Sequence, residues 1–446
     1  MYFNNHTSIN KDTFITKLLR SAVLVMALLS TFSYVRAQEV YLEDDDSLSV
    51  DSMSMDTLSV RSQTLPWHLA VKEELDHMLQ ADMFSTSQVG MMVYDLDADS
   101  VLYAHGERQL LRPASTMKVL TAIAAIDKLG GSYQFKTELC YTGEVSDRTL
   151  HGNIYCVGGF DPRFNNDDMR AFVEGVRKMG VDTIRGYIYA DKSMKDSDLA
   201  GEGWCWDDDN PVLSPLLVGR KDLFVERFIR ELSEAGIVVE ANISERQRPD
   251  DAFCIVSRFH TIDQVLMKML KESDNLYAES MFYQLAAATG NRPAKASHAA
   301  SVIERLITKV GLNPRRYRIA DGSGLSLYNY LSAEVEVALL RYAFRNNNIY
   351  LHLHPALPEA GVDGTLRSRM KGTFTRGNVF AKTGTVTGVS SLAGYCTAAN
   401  GHRLAFSIIN QGVMHASNAA FRIVSARSSA NPNPSPIYIA LLLSVT

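Results

Sequence analysis

A nearly unbroken apolar run, Val119-Leu120-Thr121-Ala122-Ile123-Ala124-Ala125-Ile126, begins directly after Ser115-Thr116-Met117-Lys118. Read as a helix, such a run belongs in the interior, and it carries a lysine inward at its start. Positions i and i+3 share a helix face, so Ser115 and Lys118 come within reach of each other. A serine hydroxyl is a weak nucleophile at neutral pH until a neighbouring base takes its proton. Lysine can be that base when desolvation or a nearby cation lowers its pKa, and no histidine is then needed. Alone the pattern is loose, since Ser8-Ile9-Asn10-Lys11 fits it as well.

The two ends of the chain bound where such a site would work. Lys11, Lys17 and Arg20 precede an apolar stretch from Ser21 to Phe32, and Val35-Arg36-Ala37 offers small residues for cleavage. This is the pattern of a secretory leader, too short to span a bilayer. It predicts an exported protein of the periplasm or cell envelope, beginning near Gln38, with at most a loose association with the membrane surface. From Gln38 to Val60 there are seven acids and no Lys or Arg, interspersed with serines, which reads as a solvated linker. That tract holds most of the negative charge. The body is close to neutral and gives no reason to expect nucleic acid as a partner.

Five cysteines (Cys140, Cys156, Cys205, Cys254, Cys396) show no C-x-x-C spacing, which argues against zinc. No other metal and no cofactor is implied. Cys140 and Cys156 flank an expected hairpin through Gly143 and Gly152, which makes them the first candidates for a disulfide.

Val89–Asp95 and Val101–Ala104 read as an antiparallel pair of strands leading into the Ser115 helix. Val379–Gly384, Ser391–Cys396 and Arg403–Ile409 read as three more, and helical patterns fill much of the interval from Thr261 to Arg345. The expected fold is α+β, with an antiparallel sheet assembled from distant segments and helices packed on it. Between them, strands at Leu150–Val157 and Ile184–Tyr189 and helices at Met169–Met179 and Phe224–Ala235 suggest an inserted smaller α/β domain. The resulting plan is a leader (1–37), an acidic linker (38–66), a main domain in two parts (67–142 and 259–424), an insertion (143–258) and an irregular tail (425–446). In the tail, Ser428 to Pro436 reads as linker and Ile437 to Val445 as a short apolar end.

Two further motifs follow the first. Ser273-Asp274-Asn275 stands at a helix entry, where capping alone would favour these residues. Lys382-Thr383-Gly384-Thr385 occupies a strand-like run, where an ordinary solvated lysine is the plainer explanation. In this order, Ser-x-x-Lys, Ser-Asp-Asn and Lys-Thr-Gly form the motif set of class A β-lactamases and penicillin-binding proteins. The chain resembles the low-molecular-mass, class C penicillin-binding proteins of the D-alanyl-D-alanine carboxypeptidase/endopeptidase family. The narrower likeness rests on Leu111-Arg112-Pro113-Ala114-Ser115, Val157-Gly158-Gly159-Phe160-Asp161-Pro162, Asp321-Gly322-Ser323-Gly324-Leu325-Ser326 and Ala360-Gly361-Val362-Asp363-Gly364-Thr365-Leu366. It covers residues from about Val89 to Gly412.

The resemblance implies a β-lactamase/DD-peptidase-like, transpeptidase-type main domain. It implies peptidoglycan stem peptides and cross-links as substrate and β-lactam antibiotics as inhibitors. Ser115 is implied as nucleophile and Lys118 as its base. Ser273 is implied to relay the proton to the departing amine, and Asn275 to hold the substrate amide. Lys382 and Thr383 are implied to bind the terminal carboxylate, with Lys382 lowering the pKa of nearby amines. The backbone N–H groups of Ser115 and Thr385 are implied as the oxyanion hole. Gly384 leaves strand surface free for close approach of substrate backbone. Asp161, otherwise a turn aspartate before Pro162, is implied to overhang the cleft and meet a substrate amine, with Arg367 at the rim.

Two departures from the family pattern stand out. Only about 115 residues separate Gly143 from Val256, too few for two nested insertions, so the inner one is missing or reduced. The tail after Ile423 does not read as a closing helix. Three other readings fit the sequence less well. A class A β-lactamase deacylates with a Glu acting through water, and no Glu-x-x-Leu-Asn element lies between Asn275 and Lys382. A serine esterase needs a Gly-x-Ser-x-Gly elbow, absent around Ser115. A non-catalytic penicillin-binding sensor is disfavoured by the intact Ser115, Lys118, Ser273, Asn275 and Lys382.

Overall fold

A computed structural model describes residues 66–371 and 374–413, and the backbone of 419–424 and 440–445. The leader and nearly all of the acidic linker lie outside the described residues. The described chain opens with helix α1 (Trp67–Met78), the hairpin β1 (Gln88–Asp95) and β2 (Ser100–His105), and helix α2 (Met117–Leu129). Strands β3 (Gln134–Ser146) and β4 (Thr149–Val157), helix α3 (Asn166–Lys178), strand β5 (Thr183–Asp191), helix α4 (Phe224–Glu234), and strands β6 (Val238–Glu245) and β7 (Phe253–Thr261) follow. Then come α5 (Ile262–Lys271), α6 (Asn275–Ala287), α7 (Ala296–Lys309), α8 (Ala333–Arg345) and α9 (Asn347–Ala356). Strands β8 (Val379–Val386), β9 (Gly388–Thr397) and β10 (Arg403–Val413) return the chain to the first sheet.

That first sheet has the order β2-β1-β10-β9-β8 and is antiparallel throughout. The fold is therefore α+β, and its sheet joins segments some 300 residues apart. One face packs Val89, Met91, Val93, Phe406 and Ile408 against Val71 and Leu75 of α1. The other face meets α2 and the helices from α5 to α8 in a larger core. Ten successive residues of α2, Met117 to Ile126, are buried. Each aliphatic side chain fully removed from water there contributes about 1.5–3 kcal/mol, which explains why an all-round apolar helix settles at the centre.

The insertion forms a mixed sheet of order β6-β5-β4-β3-β7, in which β4, β5 and β6 run parallel. Helices α3 and α4 cover one face through Phe172, Val176, Phe224 and Phe228. This sheet opens with β3 at Gln134, ahead of the expected boundary at residue 143. Gly143 lies inside β3, where a Cβ would collide with His151 O on β4; it marks a close approach of two strands, not a domain edge.

The disulfide differs from the expectation. Cys140 is bonded to Cys254, opposite it on β7, while Cys156 is free and buried. The register explains the difference: Cys140 faces Tyr155 across β3 and β4, and Cys156 faces Leu139, so the two thiols lie on opposite faces of the sheet. In the tail, a backbone strand at Ala440–Val445 (β12) pairs with Ala419–Val424 (β11). The end of the expected irregular tail is thus a strand, and the segment at 419–424 is extended and not helical.

Candidate active site

Ser115 stands in a single turn of 3₁₀ helix, Ala114–Thr116, at the entry to α2. Ala114 before it adopts φ +49°, a left-handed conformation that non-glycine residues avoid. Lys118, one turn on, is fully buried with Nζ 2.9 Å from Ser115 Oγ, 2.8 Å from Asn275 Oδ1 and 2.8 Å from Ser323 O. This tripod has a chemical consequence. A neutral amine can donate two hydrogens to Asn275 and Ser323, which leaves its lone pair facing the Ser115 hydroxyl.

The turn that supplies the Ser323 carbonyl is tightly held. Glu279 on α6 accepts from Gly322 N and Ser323 N at 3.1 and 2.8 Å. Asp321 accepts from Gly324 N, Ser326 N, Asn329 Nδ2 and, across the chain, Trp204 Nε1. Gly324 has φ +81°, and a Cβ on it would overlap Ala114 O, so only glycine lets this turn pass beneath Ser115. The sequence marked the segment as a tight turn but carried no sign that its carbonyl faces Lys118.

Ser273 and Asn275 flank Asp274, the N-cap of α6, whose Oδ1 accepts from Tyr277 N. Capping and site geometry therefore coexist in one motif. Ser273 has φ +60°, and its Oγ accepts from Lys382 Nζ at 2.8 Å. Lys382 is fully buried and also donates to Thr383 O at 2.6 Å. Thr383 Oγ1 donates to Thr365 Oγ1 at 2.8 Å, a hydroxyl the sequence reading did not single out. A Cβ on Gly384 would overlap Ser391 Oγ and stand 2.8 Å from Pro113 O and 2.9 Å from Ser115 N, so β8 runs directly alongside Ser115 because that residue has no side chain.

Burial pushes the Lys118 amine down to about 8, against the opposing charges of Asp321, Glu279 and Asp274. Lys382 is held well below the usual lysine range by burial first and by the positive charge of Lys118 second. The expected like-charge effect thus falls on Lys382, and desolvation does most of the work on both amines. Burial and the nearby Asp321 push Glu279 up to about 8. Glu336 on α8, raised to about 7 by burial, lies 2.6 Å from both Thr116 Oγ1 and Ser407 Oγ. Thr116 Oγ1 is also 2.8 Å from Pro113 O. One hydroxyl hydrogen cannot serve both acceptors, so a protonated Glu336 completes the set.

Asp161 stands apart from this cluster. Its carboxylate is buried, with Oδ2 2.6 Å from His260 Nδ1 and Oδ1 accepting from Arg163 N. The structure does not bring it into the cleft as an exposed partner for a substrate amine. Arg367 follows the short helix Gly364–Leu366 and is exposed. Among the described residues no group of three or more His, Cys, Asp or Glu could hold a metal ion.

Residues 71–216 and 218–429 match the D-Ala-D-Ala carboxypeptidase 3 (S13) family. The chain belongs to that family, and with it to the carboxypeptidases. It is 25% identical over 406 residues to D-alanyl-D-alanine carboxypeptidase DacB of Haemophilus influenzae, covering 72% of this chain and 84% of that protein. The crystal structure of penicillin binding protein 4 (dacB) from Haemophilus influenzae superposes with a TM-score of 0.70 at 23% identity, over 80% of this chain and 96% of that one. The same protein complexed with a β-lactam gives 0.64 at 23% identity, over 76% and 92%. At that identity the superpositions establish the fold, a penicillin-binding protein fold with an inserted domain.

Proposed function

We propose that this carboxypeptidase works through an acyl-enzyme on Ser115, removes the terminal D-Ala of peptidoglycan stem peptides, cleaves D-Ala-linked cross-links as an endopeptidase, and is inhibited by β-lactams. The observation that carries the reading is the Lys118 tripod, which leaves one direction open to the amine and fills it with the Ser115 hydroxyl. Ser115 Oγ attacks the carbonyl carbon of the penultimate D-Ala while its proton passes to Lys118 Nζ. Negative charge on the carbonyl oxygen falls between the Ser115 and Thr385 N–H groups, a pairing worth about 2.7–4 kcal/mol per donor. Collapse breaks the C–N bond, and the departing amine takes a proton from Ser273 Oγ. That proton is refilled by the one Lys118 took from Ser115, so Lys118 is a free base again for the hydrolysis. Lys382 donates to the Ser273 hydroxyl and holds it in place. Lys382 and Thr383 bind the terminal carboxylate, and Thr385 lines the exposed side of the same strand. Water then hydrolyses the ester. A β-lactam enters by the same attack, its ring opening in place of the peptide bond.

The leader-like pattern of the N-terminal sequence supports a site of action in the periplasm or cell envelope, where peptidoglycan lies. Mass spectrometry of peptidoglycan fragments digested by the wild type and by Ser115→Ala tests the reading. Loss of terminal D-Ala and of cross-linked species with the wild type alone is expected; neither product with the wild type would overturn it.

A further inference from the structure

One ion pair joins the inserted domain to the second motif. Arg220 binds the carboxylate of Asp274, the residue between Ser273 and Asn275. The Arg220 side chain is 49% exposed and that of Asp274 10%. Arg220 is presented by a two-residue turn: Val218 N and Lys221 N each donate to the other residue's carbonyl at 3.1 Å, and Gly219 and Arg220 both have positive φ, +54° and +70°. This is a type I′ hairpin turn, whose central positions favour Asn and Gly. An arginine in its second position is out of place by backbone preference. Gly219 N donates to Phe164 O at 3.3 Å and ties the turn to the domain that carries it. At the other end of the pair, Ser273 is itself in a left-handed conformation, φ +60°.

We infer that Arg220 is a positioning residue: through Asp274 the inserted domain holds the Ser273-Asp274-Asn275 segment in the conformation that places Ser273 on Lys382 and Asn275 on Lys118. The argument runs from an unfavourable backbone placement to the contact it makes. The Asp274 carboxylate uses one oxygen to cap α6 and the other to meet Arg220. Both neighbours of Asp274 reach a site lysine through side-chain oxygens. A displacement on the order of 1 Å at such a site costs about a hundredfold in rate. The pair is also electrostatic. The charged groups facing Lys118 are Asp321, Glu279, Asp274 and the lysine it acts on, Lys382, and Arg220 screens one of them.

The inference rests on the acyl-enzyme reading, so wild-type acylation by benzylpenicillin is the control. If the wild type does not acylate, that reading fails; the tests below apply when it does. Acylation rate constants would be measured against pH for the wild type, Arg220→Gln, Arg220→Lys, Asp274→Asn and Arg220→Gln/Asp274→Asn, with KM and kcat on a D-Ala-D-Ala peptide. Asn caps a helix as well as Asp, so Asp274→Asn keeps α6 intact. Arg220→Gln should acylate about ten- to a hundredfold more slowly, with Arg220→Lys recovering much of the loss. The pH midpoint should rise in Arg220→Gln, fall in Asp274→Asn, and return towards the wild type in the double variant. A rate loss in Arg220→Gln with an unmoved midpoint would overturn the inference. So would a raised KM with unchanged kcat, which would make Arg220 a substrate contact, or wild-type behaviour throughout.

Discussion

Lys118 enters a largely apolar helix with its amine surrounded by the oxygens of Ser115, Asn275 and Ser323, and in the proposed mechanism its protonation decides whether Ser115 can react. Its pKa, lowered to about 8 from the usual lysine value, sets the sign of the pH response. Below about 8 the amine is mostly protonated and cannot accept the serine proton; above it the base is free. Acylation by a penicillin should therefore rise about tenfold per pH unit at low pH and level off beyond about 8. A flat profile from pH 6 to 9 would contradict this assignment. Lys118→Ala should lose about two or more orders of magnitude in acylation rate while Ser115 remains in place; wild-type acylation would rule out Lys118 as base. Gly384→Ala places a methyl in overlap with Ser391 Oγ, 2.8 Å from Pro113 O and 2.9 Å from Ser115 N, so it should impair acylation and also lower Tm, read by penicillin binding and thermal unfolding; an unchanged Tm would contradict this close packing.

At the scale of elements, the site is where α2, α6, the 321–326 turn and β8 converge. The buried carboxyl of Glu336 lies behind this junction, bonded to Thr116 from the Ser115 turn and to Ser407 from β10. Its folded-state pKa, about 7, is raised above the usual value near 4.5. The folded protein thus holds this proton more tightly than the unfolded chain, and that contribution is present below pH 4.5 and lost as pH rises through 7. Glu336→Gln removes it, so the variant should gain about 1–3 kcal/mol on the wild type between pH 5 and pH 8 in urea unfolding. A constant difference across that range would refute a protonated Glu336. Within α2 itself, Ile123→Ala empties a fully buried position and should cost about 2–5 kcal/mol in the same assay.

These elements also show where sequence is informative. Ser115 with Lys118 and the Lys382-Thr383-Gly384 strand are local patterns, legible because three or four adjacent residues fix both type and spacing. Glu279, Ser323, Thr365 and Arg220 are not. Each matters through a partner 18 to 205 residues away, and by itself each reads as an ordinary helix, turn or loop residue. The 321–326 turn was visible in its glycines, but a carbonyl contact to lysine leaves no trace in composition. A cleft position for Asp161 is implied only by the family resemblance, and its buried pairing with His260 depends on β7 arriving beside it.

Across the whole molecule, one sheet is assembled from the two ends of the described chain and a second is threaded between them. The alternation of strands and helices made this α+β plan readable, while strand register and disulfide pairing required the third dimension. Cys140–Cys254 closes a loop of 114 residues between the first and last strands of the second sheet. Opening it with Cys254→Ser should lower stability by about 3–5 kcal/mol, seen as a lower Tm under non-reducing conditions; an unchanged Tm would show that the bridge does not hold the insertion together. The chemistry should survive that change below the new Tm, because no site residue belongs to that sheet. The Arg220–Asp274 ion pair links the insertion to the Ser273-Asp274-Asn275 segment.

The central claim is that Ser115, activated by Lys118, forms a covalent acyl-enzyme. Intact-protein mass spectrometry after brief exposure to benzylpenicillin, followed by peptide mapping, tests it most directly. One penicilloyl group per chain, located on Ser115 and absent from Ser115→Ala, is the expected result. No adduct on the wild type, or an adduct on any other residue, would contradict the account.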